Sequence, residues 1–219
     1  MPPGILTEEY DIKKDRTLRL HGNFEAKSWT RFSILKKFGH PGMRGIHLFA
    51  GKGELVEAHL RAGASKVLCI DKDAGALAAC RSRYGTKVQT MTADVFRLLK
   101  ESKLDRVDFV DMDPFGTCAK PVALWCATQP HIPLIWLLTD TGRLPARLGT
   151  GPHNGGVIRE YREYLGVGRT DKNWNYRMYP ILLVRFLRAC FKKRGYATKT
   201  FAPASKNNAC YIGVKLTKI

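Results

Sequence analysis

Acidic residues are scarce in this chain: 19 Asp and Glu stand against 37 Lys and Arg among 219 residues, a formal net charge of +18. That imbalance argues against a small neutral metabolite as the main partner and for a polyanion. The scarcity deepens along the chain. Beyond Gly142 sixteen basic residues face only Glu160, Glu163 and Asp171, and no acid follows Asp171. A nucleic-acid face is therefore expected mainly from the C-terminal part. Also lacking is any apolar run near the roughly 18 residues of a membrane span, or a charged N-terminal segment leading into an apolar one. The six cysteines (Cys69, Cys80, Cys118, Cys126, Cys190, Cys210) form no Cys-x-x-Cys pair, and several sit in apolar runs where a thiol packs as a small hydrophobe. These absences predict a soluble cytoplasmic protein in a reducing compartment, with no membrane contact and no structural zinc.

What is present suffices for one α/β domain with a sizeable core. Residues 1–44 read as an N-terminal extension, with a helical pattern from Asn23 to Phe38 and a turn at Pro41-Gly42. From Gly45 short apolar runs alternate with helical stretches: Ile46–Ala50, Glu54–Ala62, Val67–Ile70, Ala74–Tyr84, Val88–Met91, Val95–Lys100, Val107–Asp111, Ala119–Thr128 and Ile135–Thr139. Alternation at this pace predicts right-handed βαβ units and a parallel sheet. Residues 142–175, rich in Gly, Arg and Asn, show little periodicity and read as a basic, substrate-facing insertion in a catalytic domain spanning 45–219. A helix Pro180–Lys193 and two strands, Tyr196–Phe201 and Ala209–Leu216, close the chain. The fold expected is a doubly wound, Rossmann-like, seven-stranded sheet with an antiparallel last strand.

The first strand-to-helix turn, Leu48-Phe49-Ala50-Gly51-Lys52-Gly53-Glu54, carries two glycines that permit a tight turn and close backbone approach to a ligand. Phe49, Ala50, Gly51 and Gly53 are thus expected at a nucleotide-like cofactor. Twenty residues after Gly51 the second strand closes on Asp71 and Lys72, placing a carboxylate where ribose hydroxyls can donate to it. Asp94 ends the third strand; it either caps the next helix or accepts an adenine amino group while Val95 packs on the ring. Nicotinamide proteins share this geometry. Val56, however, stands where the third glycine of Gly-x-Gly-x-x-Gly belongs, and a cofactor without a pyrophosphate has no need of that glycine.

The fourth strand ends Asp111-Met112-Asp113-Pro114-Phe115-Gly116. Asp113-Pro114-Phe115-Gly116 resembles the catalytic motif of amino-methyltransferases, and the longer string is most similar to the tRNA (guanine-N2-)-dimethyltransferase family, over about Gly45 to Thr141. The resemblance implies a class I methyltransferase fold, S-adenosyl-L-methionine as cofactor with Asp111 among its contacts, Asp113, Pro114 and Phe115 as catalytic residues, and tRNA as substrate. The chemistry suits those residue types. An exocyclic amine is a poor nucleophile because its lone pair is delocalised into the ring. A carboxylate and a backbone carbonyl accepting its two N–H bonds favour a pyramidal, reactive nitrogen. Phe115 can stack on a base taken out of its helix, worth about 1–3 kcal/mol. This chemistry requires no metal, and none is expected.

Cys118 lies near this motif but outside the Pro-Cys context of cysteine-nucleophile methyltransferases, so it reads as a packing thiol. The resemblance further implies that the element with Asn23, Phe24 and Lys27 folds over the cofactor; a surface helix with snorkelling lysines is the other reading. Three alternatives remain: a DNA adenine-N6 or cytosine-N4 methyltransferase, a non-catalytic RNA-binding protein on the same fold, and a nicotinamide oxidoreductase. DNA enzymes of the group commonly show Pro-Pro-Tyr or Pro-Pro-Phe, whereas Pro114 is followed directly by Phe115, which favours RNA.

Overall fold

The computed structural model describes residues 22–141, 172–201 and 209–219. All but the last few residues of the expected insertion at 142–175 lie outside them. Helix α1 (Gly22–Phe38) precedes β1 (Arg44–Leu48), α2 (Val56–Arg61), β2 (Lys66–Asp71), α3 (Ala74–Tyr84), β3 (Val88–Thr92), α4 (Val95–Glu101), β4 (Phe109–Met112), α5 (Ala119–Thr128) and β5 (Ile135–Asp140). Helix α6 (Lys172–Lys192), β6 (Tyr196–Phe201) and β7 (Cys210–Lys218) complete the order.

The seven strands form one sheet in the order β3-β2-β1-β4-β5-β7-β6. The first five pair in parallel, and β7 runs antiparallel between β5 and β6. The expected architecture is therefore observed. Strand order reverses between β1 and β4, which opens a crevice at the C-terminal strand ends, where doubly wound sheets bind ligands.

Apolar side chains cover both faces. Every residue of β4 and β5 is buried, as expected of central strands covered on both sides. One face packs Trp125, Trp136 and Phe191 against α5 and α6; the other packs Ile34, Leu35, Met43 and Phe109 beneath α1 to α3. Helix α1 sits directly on the sheet. At Gly213 of β7 an added Cβ would collide with the Ile34 side chain, so the glycine admits α1 at this depth.

The sequence pattern places the sixth helix at Pro180–Lys193. The helix instead begins at Lys172 and runs through Pro180. Tyr179, fully buried, donates its hydroxyl to Asp140 Oδ1 at 2.6 Å, which ties the turn before the proline to the end of β5.

Candidate active site

The C-terminal strand ends enclose a cavity of about 690 Å³, within the range of small-molecule sites. Its floor is the β1–α2 turn. Phe49 adopts φ 60°, Gly51 φ 51° and Gly53 φ 72°, a run of left-handed backbone that turns the chain within a few residues. Asp71 holds this turn in place: Oδ2 accepts from the Gly51 N–H at 2.8 Å, and Oδ1 accepts from the Asp73 N–H at 3.0 Å. Beside it, just past the end of the neighbouring β3, Asp94 caps α4, accepting from the Arg97 N–H at 2.8 Å. Val95, Phe49 and Phe96 form an apolar wall between the two carboxylates, the two rings meeting edge-on at 5.8 Å.

The opposite wall is the loop after β4. Asp113, Pro114 and Phe115 line the cavity, and the Phe115 side chain is fully exposed. The end of β5 fixes this loop. Thr141 Oγ1 accepts from the Gly116 N–H at 2.9 Å, and the Gly116 carbonyl accepts from the Thr141 N–H at 2.8 Å. Gly116 needs φ 117°, open to glycine alone at little cost. One residue earlier, buried Asp140 accepts from Thr117 Oγ1 (2.7 Å), the Cys118 N–H (2.9 Å) and Tyr179. Burial and the neighbouring Asp140 push the Cys118 thiol well above its ordinary range, so it is inert. Lys27 of α1 donates to Asp113 Oδ1 at 2.8 Å and Oδ2 at 3.0 Å. Helix α1 thus presents an ammonium group to the carboxylate at which an amine donor is expected.

Directly below lies a second ionic layer. Arg31, one helical turn after Lys27, donates from Nε and Nη2 to the two oxygens of Asp111 at 2.9 and 2.8 Å, and from Nη2 to Thr139 Oγ1 at 2.8 Å. His59 Nε2 lies 2.8 Å from Asp111 Oδ2, and His47 Nε2 lies 4.0 Å from it. Arg31, Asp111 and His59 are wholly buried and His47 nearly so. Burial alone would raise the Asp111 carboxyl, yet Arg31 and the two imidazoles outweigh it and hold Asp111 far below the usual carboxylate range. Burial pushes His47 down to about 4, against the pull of Asp111.

This layer corrects the expectation of no metal. His47, His59 and Asp111 each offer a ligand atom, all within 4.8 Å of one another, and imidazole with carboxylate is a donor set that suits zinc or iron. Among the described residues neither ring nitrogen of His47 finds a hydrogen-bond partner, nor does His59 Nδ1. Arg31 already engages both oxygens of Asp111, so an ion here shares its carboxylate with a guanidinium.

No family model and no curated protein matches the sequence. Solved structures do. Trm1 of Pyrococcus horikoshii in complex with S-adenosyl-L-methionine superposes with a TM-score of 0.62 at 16% identity, over 88% of this chain and 55% of that one. PH1948 of Pyrococcus horikoshii gives 0.53 at 17%, over 92% and 87%. The magnesium protoporphyrin IX methyltransferase of Synechocystis PCC 6803, with bound cofactor, gives 0.51 at 13%, over 88% and 81%. The chain has the class I S-adenosylmethionine-dependent methyltransferase fold.

Within this methyltransferase fold the sequence-derived residues distribute unevenly. Phe49, Ala50, Gly51, Asp71, Lys72, Asp94, Val95, Asp113, Pro114 and Phe115 meet around the cavity. Gly53 and Asp111 are not among its lining residues. Gly53 packs on Cys80, where a Cβ would collide with the thiol, and Asp111 points into the buried layer. Phe24 and Lys27 do reach the cavity. Sequence reading missed Phe96, Lys120 and Thr141, which also line it, and Asp140, which anchors it. Among the described residues no helix is long and apolar enough to cross a membrane.

Proposed function

We propose that this chain is an S-adenosyl-L-methionine-dependent N-methyltransferase acting on an exocyclic amine of a nucleic-acid base, with guanine N2 of tRNA as the leading target. The observation that carries the reading is the pairing at Asp113. A carboxylate on the cavity wall already accepts two hydrogen bonds from a nitrogen donor, beside a fully exposed aromatic ring. The cavity suits the cofactor in size, and its walls offer Asp71 and Asp94 to polar groups and Phe49, Val95 and Phe96 to a ring. When bound, S-adenosyl-L-methionine supplies an electrophilic methyl group on a sulfonium.

The chain's own residues position the nucleophile. Asp113 and the Pro114 carbonyl accept the two amine N–H bonds and localise the nitrogen lone pair; the proton lost on methylation passes to Asp113 or to water. Phe115 stacks on the extruded base, and alignment of the amine supplies much of the acceleration. To admit the substrate, Lys27 must yield part of its hold on Asp113. Support for the nucleic-acid class comes from the +18 charge and from the Asp113–Gly116 motif. Trm1, a tRNA dimethyltransferase, shares the fold. The basic segment 142–175, inserted in a catalytic domain of residues 45–219, is proposed to face the substrate.

The test is incubation of purified protein with labelled S-adenosyl-L-methionine and, separately, total tRNA, ribosomal RNA and double-stranded DNA, with nucleoside mass spectrometry of the products. N2-methylguanosine in tRNA is the expected result. Methyladenine or methylcytosine in DNA moves the substrate and keeps the amine chemistry; no transfer to any of the three overturns the reading.

A further inference from the structure

Away from the cavity, on the face of the sheet that carries α1, a second feature has no part in methyl transfer. Gly213 of β7 faces Ile34 of α1, so Lys215, two residues on, emerges on the same face. Strand pairing sets Lys199 of β6 directly opposite Lys215, and Phe201 opposite Gly213. Two like charges directly opposed across an antiparallel pair are destabilising. The flanking rings extend the arrangement. Lys199 Nζ lies 5.6 Å from the Phe201 ring centre, Phe201 and Phe38 pack at 4.8 Å, and Lys37 Nζ lies 5.8 Å from the Phe38 ring. Lys37, Phe38, Phe201, Lys199 and Lys215 therefore form one continuous shelf. Lys37 and Lys199 are exposed. No Asp or Glu occurs in the last two turns of α1, in β6 or in β7, and α6 packs on the other side of β6.

A row of three ammonium groups set on a paired aromatic base, with no acid in its own elements, is complementary to closely spaced phosphates. We infer that this shelf docks the sugar-phosphate backbone of an RNA strand while the target base occupies the cavity. The inference rests on the nucleic-acid reading above and names a part of the molecule that the chemistry does not use. Helix α1 links the two regions. Lys27 in its second turn meets Asp113, and Phe38, eleven residues on, meets the shelf. At 1.5 Å per residue the separation is about 16 Å, which spans only a few nucleotides of backbone.

The experiment measures binding of total tRNA to the full chain by anisotropy across a KCl series. Three proteins are compared: wild type, a Lys37→Gln/Lys199→Gln/Lys215→Gln variant, and a control of equal charge loss, Lys66→Gln/Arg83→Gln/Lys87→Gln, at the β2–β3 end. Each phosphate contact adds about 0.7–0.9 to the slope of log K against log salt. The shelf variant is expected to show a slope shallower by about 2–3, and the control a slope near that of wild type. S-adenosylhomocysteine affinity, measured on all three, is expected to stay equal, which shows the variants folded. Equal slopes for the two variants overturn the shelf, because the attraction is then spread over the whole surface. If wild type methylates tRNA and the shelf variant keeps its slope, the shelf falls and the amine chemistry stands. Absence of salt-dependent binding by wild type overturns both.

Discussion

Asp113 is the residue on which the proposed chemistry turns. Asp113→Ala removes the carboxylate that accepts the amine yet leaves the β1–α2 turn, Asp71 and Asp94 untouched. Turnover is expected to fall at least about a hundredfold, with S-adenosylhomocysteine affinity by calorimetry nearly unchanged; a variant that methylates at the wild-type rate would show that the reaction site lies elsewhere. Cys118 provides the contrast. Its buried, strongly raised thiol packs among apolar side chains, so Cys118→Ala should retain turnover and lose only about 1–2 kcal/mol of stability. Loss of activity with an intact Tm would restore a nucleophilic role. The metal-competent group below is tested with Zn²⁺ added to chelator-treated protein. Saturable uptake that His59→Ala abolishes is expected from three converging ligands, while no uptake means that Arg31 has claimed the carboxylate.

At the scale of elements, the alternation of apolar runs made the strands and most helices legible, because sheet and helix burial imprint periods that survive in the sequence. The cavity residues were legible for a related reason: in a parallel sheet they follow strand ends, whose positions the runs mark. Asp111 shows where that reasoning stops. It sits two residues before Asp113 and is expected among the cofactor contacts, but β4 runs to Met112, so Asp111 remains inside the sheet while Asp113 lies beyond it. Its partners were invisible too. His47 meets it through the β1–β4 register, and Arg31 reaches it across 80 positions of sequence. The same pairing explains how α1 is fixed. Arg31→Met strips the wholly buried Asp111 of its guanidinium and is expected to cost about 3–5 kcal/mol, whereas the double variant Arg31→Met/Asp111→Leu should recover part of that loss. Urea denaturation of the three proteins measures both numbers; a single variant as stable as wild type would mean that α1 is held by its apolar face alone.

For the whole molecule, the buried layer sets how stability responds to acid. His47 is held near a pKa of about 4 in the fold, against about 6.5 for an unfolded histidine. Above pH 6.5 neither state carries the proton, so His47 adds no pH dependence there. Between about 6.5 and 4 the unfolded chain binds a proton that the folded one refuses, and stability falls with each step toward acid. Integrated over that window the loss is about 3 kcal/mol. Asp111 acts with the same sign in a lower window. Its folded carboxyl lies far below its unfolded value of about 3.9, so its contribution is complete above that value and is lost below it. Unfolding free energy is thus expected to be flat from pH 8 to 7, to decline from about pH 6.5, and to go on declining at a similar slope below about 4, where Asp111 takes over from His47. His47→Phe removes the upper window alone, so its curve should stay flatter down to about pH 4 and then descend with the wild-type slope. An upper decline that persists in His47→Phe would assign it to other titrating groups and leave His47 a structural neighbour of Asp111.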